Sequence, residues 1–174
     1  SLVLIDAVRA PMISALEARG AVLLNASQKA TLQALMWPEG KLSPAVIGQS
    51  ASEIARKAGW AEIAARQPRI LMVEEDGIGH EHPFSGEKLS PVLALFGAAD
   101  FDAAARLVAE IYAFEGAGHS VGLHSRVPER ALQLGEEVVP ERPAAPDHVL
   151  PQPRLRFVHA ERARLAERRA VERV

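Results

Sequence analysis

Short, nearly continuous apolar runs alternate with amphipathic stretches through the first 137 residues. Leu2-Val3-Leu4-Ile5 is the kind of run expected for a buried strand, and a helical stretch over residues 11–19 follows it and stops at Gly20. Asn25 with Gln28 three positions on is a capping-box signature, opening a helix that ends before Pro38. Ser50 with Glu53 repeats the signature ahead of a helix through Ala58 that stops at Gly59. Residues 69–73 and 92–96 read as strands, Asp100 caps a helix over residues 101–114, and residues 120–124 read as a further strand. The last three form a strand-helix-strand unit, which predicts parallel strands with a helix packed over them and an α/β fold.

Composition narrows the class. The chain has 174 residues, 48% of them hydrophobic, enough for one domain with a core of its own. It contains no cysteine, which removes a disulfide framework, a thiolate zinc site and a thiol nucleophile. No apolar run reaches the roughly 20 residues that cross a bilayer, and no basic segment precedes Leu2, so a cytoplasmic protein without a membrane partner is expected. Ser1 rather than Met stands first, as expected of a piece of a longer protein.

Charge divides the chain in two. Residues 1–137 carry 12 Lys or Arg against 17 Asp or Glu, whereas residues 138–174 carry 8 against 5, every base there being Arg. Pro140, Pro143, Pro146, Pro151 and Pro153 fall in the second part. They remove backbone donors and favour extended or turn conformations, so residues 140–153 read as a linker. Residues 160–169 have strong helix formers but little to bury, the pattern of a solvated helix. The interleaved glutamates and the single aromatic Phe157 argue against a nucleic-acid-binding tail.

Two residues stand out as chemistry. Glu87 lies just before the expected strand at 92–96, and His119 lies at the turn before the expected strand at 120–124. Parallel strands entered from the same end would place both near one sheet edge. There a carboxylate can accept hydrogen bonds from a ligand hydroxyl, and a histidine can move a proton near neutral pH. The Gly116-Ala117-Gly118-His119-Ser120-Val121-Gly122 spacing also suits a dinucleotide glycine loop, but such a loop follows a strand and opens a helix, and here the order is reversed. His80 and His82, with Glu81 or Asp76, could meet a metal, yet Gly77, Gly79 and Pro83 make an ordinary loop of this segment; no metal site is assigned. Glu74-Glu75-Asp76 reads as a solvated run at a strand end.

The wording of the motifs is more specific than their spacing. His82-Pro83-Phe84-Ser85-Gly86-Glu87-Lys88-Leu89-Ser90-Pro91-Val92-Leu93-Ala94, followed by Gly116-Ala117-Gly118-His119-Ser120, resembles the CoA-acylating aldehyde dehydrogenases, and the sulfoacetaldehyde dehydrogenase branch in particular. Lys41-Leu42-Ser43-Pro44-Ala45-Val46-Ile47-Gly48-Gln49-Ser50-Ala51 resembles the family segment that joins catalytic-domain helices, and the likeness runs from Ser1 to about Glu137. It implies a partial aldehyde dehydrogenase catalytic domain over residues 1–137, a largely parallel sheet flanked by helices, followed by a divergent, irregular or helical tail over residues 138–174. The tail's abrupt Arg, Pro and Ala content resembles out-of-frame translation of a GC-rich gene.

The resemblance also implies roles. The glutamate of the E-x-[FL]-x-P motif contacts the nicotinamide ribose and maps to Glu87, with Leu89 at the neighbouring ring-contact position. The histidine of the G-x-G-H-[ST] motif, an acid/base or CoA-activating group, maps to His119. In the family a cysteine thiolate attacks the aldehyde, hydride passes to NAD or NADP, and coenzyme A takes the acyl group from the thioester. Ser1-Leu2-Val3 resembles the residues just after that cysteine, so neither the nucleophile nor the dinucleotide-binding domain is expected here, neither NAD(P) nor coenzyme A is expected to bind this chain tightly, and the chain is expected to be inactive alone. Its intact parent would oxidise a small aldehyde, sulfoacetaldehyde being favoured, and would form a homo-oligomer as full-length relatives do. The alternative expectation is a non-catalytic domain of the same fold, acting through protein contacts.

Overall fold

A computed structural model describes residues 1–115 and 120–138. The chain divides into two units, Ser1–Glu115 and Gly116–Val174, the second described only over residues 120–138. The first holds a four-stranded parallel sheet in the order β1-β4-β3-β2, built from β1 (Leu2–Ile5), β2 (Ala21–Leu23), β3 (Ile70–Glu74) and β4 (Val92–Ala98). The register pairs Leu2 with Leu95, Leu71 with Val92 and Ala21 with Ile70.

Each strand is apolar on both sides because both faces of the sheet are covered, as in parallel sheets generally. Successive residues alternate between two cores. Val3, Val22, Leu71, Val73, Val92, Ala94 and Phe96 face the larger one, which α2 (Ala26–Met36), α3 (Ala51–Lys57), α4 (Ala61–Ala65) and α5 (Phe101–Glu115) help to close. Leu2, Leu23, Ile70, Met72, Leu93 and Leu95 face the smaller one, where α1 (Asp6–Glu17) contributes Ile13 and Leu16. In the second unit the described residues form one helix, α6 (Glu129–Val138).

The caps follow the sequence. The Asn25 backbone N–H donates to Gln28 Oε1 and the Gln28 N–H donates to Asn25 Oδ1, each at 2.9 Å. Ser50 Oγ accepts from the Glu53 amide, and Asp100 Oδ1 accepts from the Ala103 amide. Replacing Asn25 by Ala removes the acceptor for an end-of-helix N–H and is expected to cost about 1 kcal/mol, read as a lower denaturant midpoint at unchanged m value.

Several elements depart from the sequence expectation, α6 among them. Helix α1 begins at Asp6 rather than near Pro11, and Pro11 lies inside it. Proline there deprives the Ala7 carbonyl of its helical donor, but Ala7 and Pro11 are both exposed, where water can replace that donor. Strand β2 and helix α4 were not anticipated, being only three and five residues long. Residues 120–124, expected as a strand, have no regular secondary structure, although their exposure still alternates from Ser120 to Ser125. A period of two shows which residues face which side but supplies no partner to complete a ladder. The expected linker at 140–153 and helix at 160–169 lie outside the described residues, as does the rest of the tail after Val138, which is the last residue of α6 and so falls within a helix that crosses the expected 137/138 boundary. Among the described residues no helix is long and apolar enough to cross a membrane.

Candidate functional site

The loop from β3 to β4 carries the Glu87 motif, and a buried carboxylate anchors its start. Glu75 follows the last residue of β3 and is 5% exposed. Its Oε1 accepts from His82 Nδ1 at 2.9 Å, from Lys29 Nζ of α2 at 3.2 Å and from the Asp76 amide at 3.1 Å. Burial acts to raise the Glu75 pKa, but the hydrogen bonds from His82, Lys29 and the Asp76 amide outweigh it and hold the carboxyl below its ordinary value. Reading the three-acid run as uniformly solvated is therefore corrected. The Glu74 and Asp76 side chains are exposed, whereas Glu75 points inward and is paired.

Phe84, in a 3-10 turn over Pro83–Ser85, plugs the loop into the larger core. Its ring meets Trp37 edge-on at 4.9 Å, and Lys29 Nζ stands 5.9 Å above it. Beyond it the chain turns outward, inward and outward again: Glu87 is exposed, Lys88 is buried and Leu89 is 51% exposed. Lys88 Nζ donates to the carbonyls of Phe84 at 2.7 Å and Gly86 at 2.5 Å. Burial lowers the Lys88 pKa, opposed by the carboxylates of Glu115, Glu75 and Glu87. Leu89 adopts φ +44°, in the left-handed region that side chains disfavour, and its carbonyl accepts from the Gly48 amide at 2.9 Å.

Glu87 and Leu89, the two expected cofactor contacts, thus share one outward-facing stretch just before β4. His119 lies outside the described residues. Of the two histidines considered for a metal, His82 converges with Glu75 and Asp76, their ligand atoms all within 4.8 Å of one another, while His80 packs edge-on against Phe114. Glu75 Oε1 is already engaged by an ammonium and an imidazole, which suits an ion-pair cluster better than a cation site.

The clefts lie elsewhere. One of about 680 Å³ is lined by Ser52, Arg56, Ala61, Ala64, Ala65 and Gln67. Another of about 390 Å³ opens at the carboxyl ends of β3 and β4, the usual ligand position in open α/β sheets, with Arg9, Lys29, Glu74, Glu75 and Gly97 among its lining. Four of its charges pair as Arg9–Glu74 and Lys29–Glu75, and the exposed Asp76 adds a further carboxylate. Glu87 and Leu89 sit instead at the opposite, amino-terminal entry to β4.

No family model matches the chain. Over 138 residues it is 59% identical to the sulfoacetaldehyde dehydrogenase (acylating) of Cupriavidus necator, a match covering 79% of this chain and 28% of that protein. A probable aldehyde dehydrogenase from Listeria monocytogenes superposes with a TM-score of 0.71 at 31% identity, over 78% of this chain and 30% of that one. An acetylating aldehyde dehydrogenase from Geobacillus thermoglucosidasius gives 0.68 at 27% identity, over 76% and 29%. The chain therefore spans under a third of the length of each of these proteins. Motif, sheet and similarity agree: the chain belongs to the CoA-acylating aldehyde dehydrogenases and represents part of such an enzyme.

Proposed function

We propose that this chain is the portion of an NAD(P)-dependent acylating aldehyde dehydrogenase that carries the nicotinamide-ribose contact and the acid/base histidine. The parent would convert a small aldehyde to its acyl-CoA, and the name of the 59%-identical relative favours sulfoacetaldehyde as substrate. The observation that carries the reading is the outward display of Glu87 and Leu89 on either side of the inward Lys88. An exposed carboxylate suits ribose hydroxyls, and a half-exposed leucine offers an apolar surface to a flat ring. Bound NAD(P)+ would supply the hydride acceptor.

His119 is proposed to move the proton that activates a thiol, histidine being the side chain whose charge most readily changes near neutral pH. Helix α5 ends at Glu115, four residues earlier in sequence, and the Glu115 carboxylate stands 3.1 Å from where a Cβ on Gly86 would lie. With no cysteine, the chain has no side chain able to form the acyl thioester and is expected to be inactive alone.

Cofactor affinity tests the role of Glu87. Residues 1–138 would replace the matching segment of the Cupriavidus necator enzyme, and Glu87→Gln would be introduced into that graft. Losing a charged acceptor for ribose hydroxyls is expected to raise the KM for NAD(P)+ by roughly ten-fold or more, with a smaller change in the KM for coenzyme A. Equal effects on both, or none on NAD(P)+, would remove Glu87 from the cofactor site.

A further inference from the structure

Lys88 is 7% exposed, lies inside the motif between two outward residues and has no role in the function proposed above. A lysine is rarely this buried without compensation, because desolvating an ammonium is costly unless hydrogen bonds and opposite charges replace water. Here the compensation is local. The ammonium ties the carbonyls of Phe84 and Gly86, in the turn just before Glu87, and the carboxylates of Glu115, Glu75 and Glu87 favour its charge. On the other side of the motif, the Gly48 amide holds the carbonyl of Leu89. Leu89 pays no small penalty for its left-handed backbone, about 1 kcal/mol or more, so surrounding contacts must fix it there. A three-residue stretch with its middle side chain anchored inside and its last backbone unit strained has little freedom to reorient.

We propose that Lys88 is a positioning residue: its buried ammonium, bonded to the Phe84 and Gly86 carbonyls, presents Glu87 and Leu89 together as a preformed contact for the ribose and nicotinamide of a dinucleotide. This rests on the cofactor reading of Glu87 and Leu89 given above. Lys88 itself touches no ligand. It acts by joining the Phe84 plug to the outward pair, so that the geometry of the core sets the geometry of the contact. Arginine carries the same charge and several donors and can reach both carbonyls; methionine preserves much of the length but donates nothing.

The test uses the full 174-residue chain, with nicotinamide mononucleotide as probe. Solution NMR reads the Leu89 φ from its intraresidue amide-to-α-proton distance and coupling, and reads binding from shifts of the Glu87 and Leu89 amides. In Lys88→Met, Leu89 is expected to leave the left-handed region and the affinity for the mononucleotide to fall on the order of ten-fold or more, with amide protection in β3 and β4 retained. Lys88→Arg is expected to restore both. If Leu89 keeps its conformation and the affinity is unchanged in Lys88→Met, the positioning role is refuted.

Should Lys88→Met fail to fold, the unsubstituted chain decides. The Lys88 ammonium protons are expected to exchange slowly and to couple to the Phe84 and Gly86 carbonyl carbons; exchange as fast as at surface lysines overturns the proposal. If Leu89 depends on Lys88 while the mononucleotide shifts neither Glu87 nor Leu89 in the unsubstituted chain, the positioning of the loop stands and the cofactor reading falls.

Discussion

Phe84→Ala is expected to lower the stability of the folded chain by about 4 kcal/mol. The ring is fully buried in the larger core, meets Trp37 edge-on and lies beneath Lys29 Nζ. Truncation removes its transfer free energy and leaves a cavity between the end of α2 and the β3–β4 loop. Neither wall can close easily, because α2 is packed through Leu32 and Met36, both fully buried, and the loop is pinned by Glu75. With typical domain stabilities of about 5–15 kcal/mol, a loss of this size would leave a substantial unfolded fraction. Denaturant melting should show a large drop in midpoint, and Phe84→Leu, which keeps most of the apolar volume, a drop of less than about 1.5 kcal/mol. A change below 1 kcal/mol for the alanine variant would show that this turn is not part of the cooperative core.

Glu75→Ala should cost nearly as much, about 3 kcal/mol, for a different reason. Its carboxylate receives Lys29, His82 and two backbone amides, those of Asp76 and Gly77, so truncation leaves partly buried donors without an acceptor. Lys29 retains some solvent access, which keeps the expected loss at the lower end of the range for broken buried pairs. The same group makes stability depend on acid. Its folded pKa is depressed, so its contribution is fully present well above the unfolded value of about 4.3 and is lost as pH falls through that value toward the lower folded one. Stability measured from pH 6 downward should therefore fall more steeply for the unsubstituted chain than for Glu75→Gln. Parallel curves would mean that the Glu75 carboxyl titrates alike in the folded and unfolded states.

Legibility in the sequence followed the range of the forces involved. Caps at Asn25, Ser50 and Asp100 were readable because donor and acceptor lie three residues apart. Strands β1, β3 and β4 were readable because burial on both faces leaves an apolar run. Strand β2 is three residues of that kind and gained definition only from pairing with β3. Glu75 was misread because its partners, Lys29 on α2 and His82 across the loop, are joined to it by the fold rather than by spacing. Lys88 gave no sign of its burial, since what holds it is a pair of backbone carbonyls that no side-chain pattern reveals. Glu87 and Leu89 are proposed as cofactor contacts on the motif alone, and both side chains are exposed on either side of the buried Lys88. His119 is proposed on the motif in the same way and lies outside the described residues.

We propose that this chain supplies an acylating dehydrogenase with its cofactor-ribose contact and its acid/base histidine while lacking the nucleophile. CoA-dependent NAD(P)H formation from sulfoacetaldehyde, measured in parallel on the 174-residue chain and on the graft of residues 1–138 into the Cupriavidus necator enzyme, tests it most directly. The expected result is no turnover by the chain alone, turnover by the graft, and a loss of roughly 100-fold or more when His119→Ala removes the proton-transfer group from the graft. Turnover by the isolated chain, or a folded graft that is inactive or indifferent to His119→Ala, would contradict it.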